Sequence, residues 1–243
     1  GAAELRYGGA DTTRSSAGRL EAGNGTFALH LDANARQFND LKIPGQARSR
    51  HAPEAEDGPG KNSRLGNSDG RQDGGALGGS YTWDDGYAGL SYSTYDSNYG
   101  SPAEQAVRIR MKQDHYAFAS EIRNLQGPFT SVKLDAGYTD YEHREIEGGE
   151  TGTIFKNKGY EARVEARHQP LGPFDGVVGA QVTRNEFSAL GAEAFVPQTD
   201  TNAGALFILE EMQATERLKL SLGGRLEHTS VDPDGKGNAR FAN

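Results

Sequence analysis

The sequence predicts an all-β protein made of the antiparallel strands of a transmembrane β-barrel. Three observations predict it. Long runs alternate apolar and polar residues, tight-turn chemistry separates some of those runs while long polar stretches separate others, and no segment approaches the ~18 apolar residues that a membrane helix needs.

The clearest run begins at Ser131. Val132, Leu134, Ala136 and Tyr138 fall on one side, and Lys133, Asp135, Thr139, Tyr141, His143 and Glu145 on the other. Phe27, Leu29, Leu31, Ala33 and Ala35 alternate with His30, Asp32, Asn34 and Arg36, and Leu218, Leu220, Leu222 and Leu226 face away from Lys219, Ser221, Arg225 and Glu227. A soluble sandwich also alternates, but its strands cluster near five or six residues, and several runs here pass ten. The longer version fits a wall with lipid outside and water inside.

About eleven strands are predicted, at 2–8, 14–23, 25–37, 75–83, 86–97, 104–124, 130–146, 152–168, 175–188, 200–214 and 217–231. Gly23-Asn24-Gly25 and Trp83-Asp84-Asp85-Gly86 carry residues that tolerate positive φ, and 124–129, 168–175 and 214–216 are also compact. Longer connections are expected at 38–74, 98–103, 147–151, 189–199 and from 232 onward. Short turns on one rim and long loops on the other are the pattern of bacterial outer-membrane barrels. Parity breaks once: Val107, Ile109 and Met111 are odd while Tyr116, Phe118 and Ile122 are even, so a bulge is expected near residues 113–115. Tyr81, Trp83, Tyr87, Tyr92, Tyr95 and Tyr99 crowd one hairpin, as interfacial aromatic girdles would.

Composition narrows the function. A formal net charge of -8 argues against a nucleic-acid partner, and the absence of cysteine excludes disulfide scaffolds and thiolate metal sites. No leader pattern opens the chain and residues 1–8 already read as a strand, so an internal piece of a longer protein is expected.

Several segments carry a family resemblance. They are Asp140-Tyr141-Glu142-His143-Arg144-Glu145-Ile146-Glu147, Gly152-Thr153-Ile154-Phe155-Lys156-Asn157, Arg163-Val164-Glu165-Ala166-Arg167-His168-Gln169-Pro170-Leu171-Gly172 and Gly176-Val177-Val178-Gly179-Ala180-Gln181. Residues 187–199 and Gly224-Arg225-Leu226-Glu227 continue the pattern. Together they resemble the middle of a TonB-dependent outer-membrane receptor, nearest to the zinc branch, also linked to haem, that the neisserial zinc receptor typifies. The resemblance implies that residues 1–243 form one partial barrel domain with a long extracellular loop at about 38–74, roughly half of a barrel of about 22 strands. Neither a plug domain nor a TonB-interacting segment is legible. The implied activity is uptake of a metal across the outer membrane, most readily zinc, working with outer-membrane lipid and with the TonB system through a plug. No cofactor is required, because zinc is cargo. Haem and ferric siderophores are the alternative cargoes.

Without thiolates, zinc takes imidazole nitrogen and carboxylate oxygen. His143 and Glu145 are one i,i+2 step apart on the charged face near the extracellular end, and Glu147 extends the row. The competing reading pairs His143 with a carboxylate on a neighbouring strand. His51, Glu54, Glu56 and Asp57 lie within seven positions of the long loop, where an ordinary solvated charge run competes with cation capture. His30 is a third candidate, lumenal by parity but mid-strand. His168 falls in a turn and His228 on the apolar parity, so neither reads as a ligand. Arg108, Arg110 and Tyr141 would suit a siderophore-binding vestibule.

Residues 232–238 lack the acids of a calcium loop. Nucleophile-elbow, zinc-protease and P-loop patterns are all missing from the sequence. The protein is therefore expected not to be an enzyme, and the alternative from another class is an outer-membrane barrel hydrolase built around His143.

Overall fold

The computed structural model describes residues 1–47, 62–191, 194–234 and 239–242. Twelve strands form one antiparallel sheet in which every strand pairs with its neighbour in that sheet along the chain. They are β1 (Ala2–Gly8), β2 (Thr13–Gly23), β3 (Phe27–Phe38), β6 (Gly70–Trp83), β7 (Gly86–Ser101), β8 (Glu104–Ile122), β9 (Phe129–Glu147), β10 (Glu150–His168), β11 (Phe174–Gly191), β12 (Thr199–Thr215), β13 (Leu218–Pro233) and β14 (Ala239–Ala242). Between β3 and β6, β4 (Lys42–Gln46) and β5 (Asn62–Arg64) form a separate two-stranded sheet. Among the described residues β1 and β14 do not pair with each other, so the barrel is open.

The wall is one layer thick and has almost no core. Ala189 and Ala205 are the buried apolar residues among those described, while Leu5, Leu206 and Leu226 are 84%, 66% and 72% exposed. Register explains where the exposed apolar groups go, because directly paired residues share a face. One outer row reads Leu20, Leu31, Leu77, Tyr92, Tyr116, Tyr138, Tyr160 and Arg184 across β2 to β11. Its four tyrosines stack at centroid separations of 4.9, 6.1 and 4.8 Å. At the short-turn rim Phe27, Tyr81 and Trp83 form a second outer cluster, at 5.1 and 5.6 Å. Tyr87, Tyr95 and Tyr99 alternate to the lumenal face instead, so the expected girdle draws on only half of that hairpin's six aromatics, Tyr81, Trp83 and Tyr92. On β13 the outer leucines run from Leu218 to Leu226, about 21 Å along the membrane normal at a tilt of about 40°, close to a ~25 Å apolar band.

The turns follow from their residues. Asn24 Oδ1 accepts from the amides of Thr26 and Phe27 at 3.0 and 2.8 Å, and Gly25 takes φ 90°. Asn124, at φ 57°, donates to Asp85 at 2.7 Å and ties two neighbouring short turns together.

Four expectations need correction. The sheet has twelve strands rather than eleven, because residues 239–242 return to pair with β13 beyond the connection expected from 232 onward. The long loop is narrower than 38–74: β6 begins at Gly70, which sits where Phe38 and Tyr99 close over the backbone and leave no room for a Cβ. The connections expected at 98–103 and 147–151 are tight turns, Gly148 and Gly149 taking φ 59° and 94°, because β7 to β10 run on past the tyrosine row as a projecting wall. No bulge interrupts β8, whose ladders to both neighbours are unbroken from Arg108 to Ile122. Val107, Ile109 and Met111 face the lumen beyond the tyrosine row, where lipid no longer dictates parity.

Replacing outer-facing Leu206 by Arg in the closed, intact barrel is expected to cost about 2–4 kcal/mol if the site lies near mid-bilayer, whereas Ser221→Arg on the lumenal face of β13 is expected to cost under about 1 kcal/mol. Denaturant unfolding in lipid bilayers reads both.

Candidate functional site

Beyond the tyrosine row the two faces exchange character. Outside stand Asp73, Asp96, Arg110, Lys112, Glu142, Arg144 and Lys156; inside stand Tyr99, Ile109, Met111, Tyr141, His143 and Phe155. His143 sits between Met111 on β8 and Phe155 on β10, its direct cross-strand partners. Phe155 meets the imidazole edge-on at 5.4 Å, and the Tyr141 hydroxyl lies 3.3 Å from Nδ1.

The ring's other nitrogen is the chemically interesting atom. Nε2 is buried without a hydrogen-bond partner among the described residues, and Glu145 Oε1 lies 3.8 Å away, beyond hydrogen-bond reach. Burial holds the His143 pKa below its ordinary value of 6.5, so the ring is neutral at pH 7. If Nδ1 carries the proton and donates to Tyr141, Nε2 presents a lone pair toward Glu145. Glu147 shares the column but stands at the tip of β9, paired with Glu150 across the turn. Among the described residues no group of three or more His, Cys, Asp or Glu converges, so this centre offers two donors, His143 and Glu145.

Below it lies an open polar pocket of ≈ 480 Å³ lined by Gln113, Thr139, Tyr141, Asn157, Glu161 and Asn185. The Asn157 side-chain oxygen is buried there without a partner among the described residues.

The other candidates are placed differently. His30 faces the lumen as expected, but Nδ1 is 3.2 Å from Glu21 and Nε2 is 2.8 Å from Asp32. Only a doubly protonated ring donates to both, so the geometry describes an ion-pair bridge between β2 and β3. His51, Glu54, Glu56 and Asp57 lie outside the described residues. His115 turns to the lumen and its Nδ1 is 2.8 Å from Thr139 Oγ1. His168 is only 8% exposed and its Nε2 meets Glu210 at 2.9 Å across β11, at Gly176, where a Cβ would strike Glu210. Arg108 and Arg110 do not line the vestibule. They share parity with Tyr116 and stand on the outer face, Arg108 reaching Asp69 at 3.1 and 3.2 Å.

One functional feature has no local sequence signal. Asn67, at φ 55°, places Nδ2 within 2.9, 2.9 and 2.7 Å of the carbonyls of Ser101, Glu104 and Val107, and Gly100 leaves space for it. With Ser68 bonded to Asp40 and Leu41, the two ends of the 39–69 connection are tied to each other, and the Asn67 clamp fixes them to the β7–β8 hairpin.

A one-layer wall with a lipid-type outer face, aromatic rows and a polar lumen defines the side of an outer-membrane-type barrel. Residues 5–243 match the family described as TonB dependent receptor-like, beta-barrel, and the chain belongs to that family. Among solved structures it resembles the copper transporter OprC (17% identity, TM-score 0.76, covering 99% of this chain and 40% of that one). It also resembles the FrpB iron transporter from Neisseria meningitidis (11%, 0.76, 96% and 40%). A third is the Serratia marcescens hemophore receptor HasR, solved with its hemophore HasA and heme (14%, 0.74, 99% and 39%). The chain thus spans about 40% of the length of these proteins. The family is one of receptors rather than enzymes, and the hydrolase alternative is set aside.

Asn67→Ala is expected to remove about 1–3 kcal/mol of local stability from the loop root by leaving carbonyls unpaired. Limited proteolysis of the intact receptor should cut faster near residues 65–69 and 101–107, with global unfolding unchanged.

Proposed function

We propose that the intact receptor containing this chain imports a metal, zinc in the finer reading, across the bacterial outer membrane, and that the metal contacts His143 and Glu145 on the way. The observation that carries this reading is the His143 Nε2: neutral, buried, without a hydrogen-bond partner among the described residues, and facing a carboxylate oxygen. Zinc bound to nitrogen and oxygen at about 2.0–2.1 Å with a tetrahedral angle holds them about 3.3 Å apart. The observed 3.8 Å needs a shift of only a few tenths of an ångström from each side chain. Two protein donors leave positions for water or for groups from the rest of the receptor.

The sequence of events begins with capture by carboxylates and imidazoles of the long loop, His51, Glu54, Glu56 and Asp57 among them. The metal then passes to the lumenal pair, and rearrangement of a plug by the TonB system releases it inward. The His143–Glu145 step is the one whose donor geometry supports the reading.

A second cargo reading has its own observation. Phe38, Tyr99, Tyr141 and Phe155 share the lumenal face around His143, an aromatic setting that favours haem or another organic metal complex over a hydrated ion.

Calorimetry on the intact receptor in detergent discriminates the two. Zinc affinity is expected to fall more than about tenfold, or about 1.4 kcal/mol, in His143→Ala, and further when Glu145 is also changed to Gln. Unchanged zinc affinity together with His143-dependent haem binding would transfer the site to the second reading.

The pH dependence follows from the direction of the His143 shift. A metal binds the neutral ring, whose pKa lies below 6.5, so affinity should hold from pH 7.5 down to 6.5 and decline only at lower pH. A decline already under way between pH 7.5 and 6.5 would identify a different ligand.

A further inference from the structure

The lumenal wall below His143 holds a second imidazole and carboxylate. Asp135, Glu165, Glu211 and Glu227 on this face each pair with a lysine or arginine, at 2.8, 2.6, 2.8 and 2.5 Å. Glu161 is exposed on the same face and, among the described residues, makes no ion pair or hydrogen bond. The cation two positions along, Arg163, is held instead by Glu165 at 2.6 Å, by Gln181 at 3.4 Å and by the ring of Phe207. Glu161 stands directly across from Gly137 on β9, and His115 leans over that glycine from β8. A Cβ at Gly137 would lie 3.1 Å from Glu161 Oε1 and 3.4 Å from His115 Cε1, so the carboxylate and the edge of the imidazole flank one spot of bare backbone.

The two lumenal imidazoles are held alike. Thr139 Oγ1 lies 2.8 Å from Nδ1 of His115, as the Tyr141 hydroxyl lies 3.3 Å from Nδ1 of His143. When Nδ1–H donates to Thr139, Nε2 of His115 keeps its lone pair, and it meets no partner among the described residues. Both hydroxyls line the same open pocket of ≈ 480 Å³, which also takes in Glu161 and Asn157. The residue facing His115 lies four positions from His143 along β9, about 13 Å, and the unpartnered Asn157 oxygen belongs to the row halfway between them. His115 and Glu161 are the chain neighbours of the outer Tyr116 and Tyr160, so this pair stands level with the tyrosine row on the opposite side of the wall. Imidazole nitrogen and carboxylate oxygen with no cation paired to them are a donor set for a divalent metal.

We propose that His115 and Glu161 form a second station for a divalent metal cargo, which passes to it from His143 and Glu145 by way of the Asn157 oxygen. Glu161 has no partner to leave, so its carboxylate swings toward Nε2 of His115 when the ion arrives. Two protein donors hold the ion loosely, as transit requires, and water or groups from the rest of the receptor fill the other positions. The proposal rests on the uptake reading for its cargo, but the two stations are built from different residues and fail separately.

The test joins anomalous diffraction at the zinc edge, from zinc-soaked crystals of the intact receptor, to energised uptake of radioactive zinc by cells, normalised to folded receptor in the outer membrane. Zinc density is expected over Gly137 in wild type and in His143→Ala, and is expected to vanish in His115→Ala and in Glu161→Gln. Both of these variants should lower the maximal uptake rate about tenfold while the half-saturating zinc concentration stays within about twofold of wild type. Thr139→Val, which releases Nδ1, should act in the same direction, and Glu161→Asp should restore most of the rate. Zinc at His143 with none over Gly137, or uptake unchanged in both variants, overturns the second station and leaves the His143 reading standing. Density over Gly137 that survives both substitutions marks an adventitious ion only, and a cation from elsewhere in the receptor seated on Glu161 marks a structural ion pair; either overturns the proposal. Zinc over Gly137 with none at His143 supports the second station and overturns the His143 reading alone.

Discussion

Pairing of the main chain governs this structure. A wall one strand thick has no interior in which side chains can pack, and buried apolar residues are almost absent from it. The ladders therefore carry the fold, and in an apolar solvent each unmade main-chain hydrogen bond costs several kcal/mol. That requirement explains the unbroken ladders of β6 to β13 through the lipid-facing rows, with register shifts confined to strand ends such as Gly100/Ser101, Thr151/Thr153, Arg167/His168 and Gln213/Thr215. It also explains why the turn residues are specialised while the wall tolerates glycine and alanine freely.

The same pairing positions the functional side chains. Because β9 alternates without interruption from Ser131 to Glu147, the parity that sends Leu134, Ala136 and Tyr138 to lipid sends Tyr141, His143 and Glu145 to the lumen. A slip of one residue would exchange the two sets entirely. Register also supplies the neighbours of His143, Met111 from one side and Phe155 from the other, and these set its protonation. Above the tyrosine row the outer face turns from apolar to charged and aromatic groups move inside with no break in the strand, the exchange that a barrel wall makes where hydrocarbon gives way to water.

Alternation, hairpin residues and strand order were legible in the sequence because each is a local pattern imposed by one solvent boundary. The misreadings cluster where that boundary ends. Val107, Ile109 and Met111 look like lipid-facing residues in the wrong phase, yet they belong to a lumenal vestibule where apolar groups answer to each other, and no bulge is needed. Arg108 and Arg110 look like vestibule residues for their chemistry, while parity with Tyr116 places them outside. The His143–Glu145 column was readable from i,i+2 spacing, but the dry environment of Nε2 depends on Met111 and Phe155, 32 and 12 positions away in sequence. Asn67 was illegible for the same reason, since its partners lie 34, 37 and 40 positions along the chain.

On the uptake reading, a two-donor centre is also what transit demands. A closed cage of four protein ligands would hold zinc with the affinity of a structural site and release it slowly. A pathway needs sites favourable enough to enter and weak enough to leave. His143 meets both conditions: burial keeps the imidazole neutral and available, while the nearest carboxylate stands just beyond contact, so binding must draw Glu145 inward and loses that small rearrangement when the metal moves on. Tyr141, holding Nδ1, keeps the ring from turning away during either step.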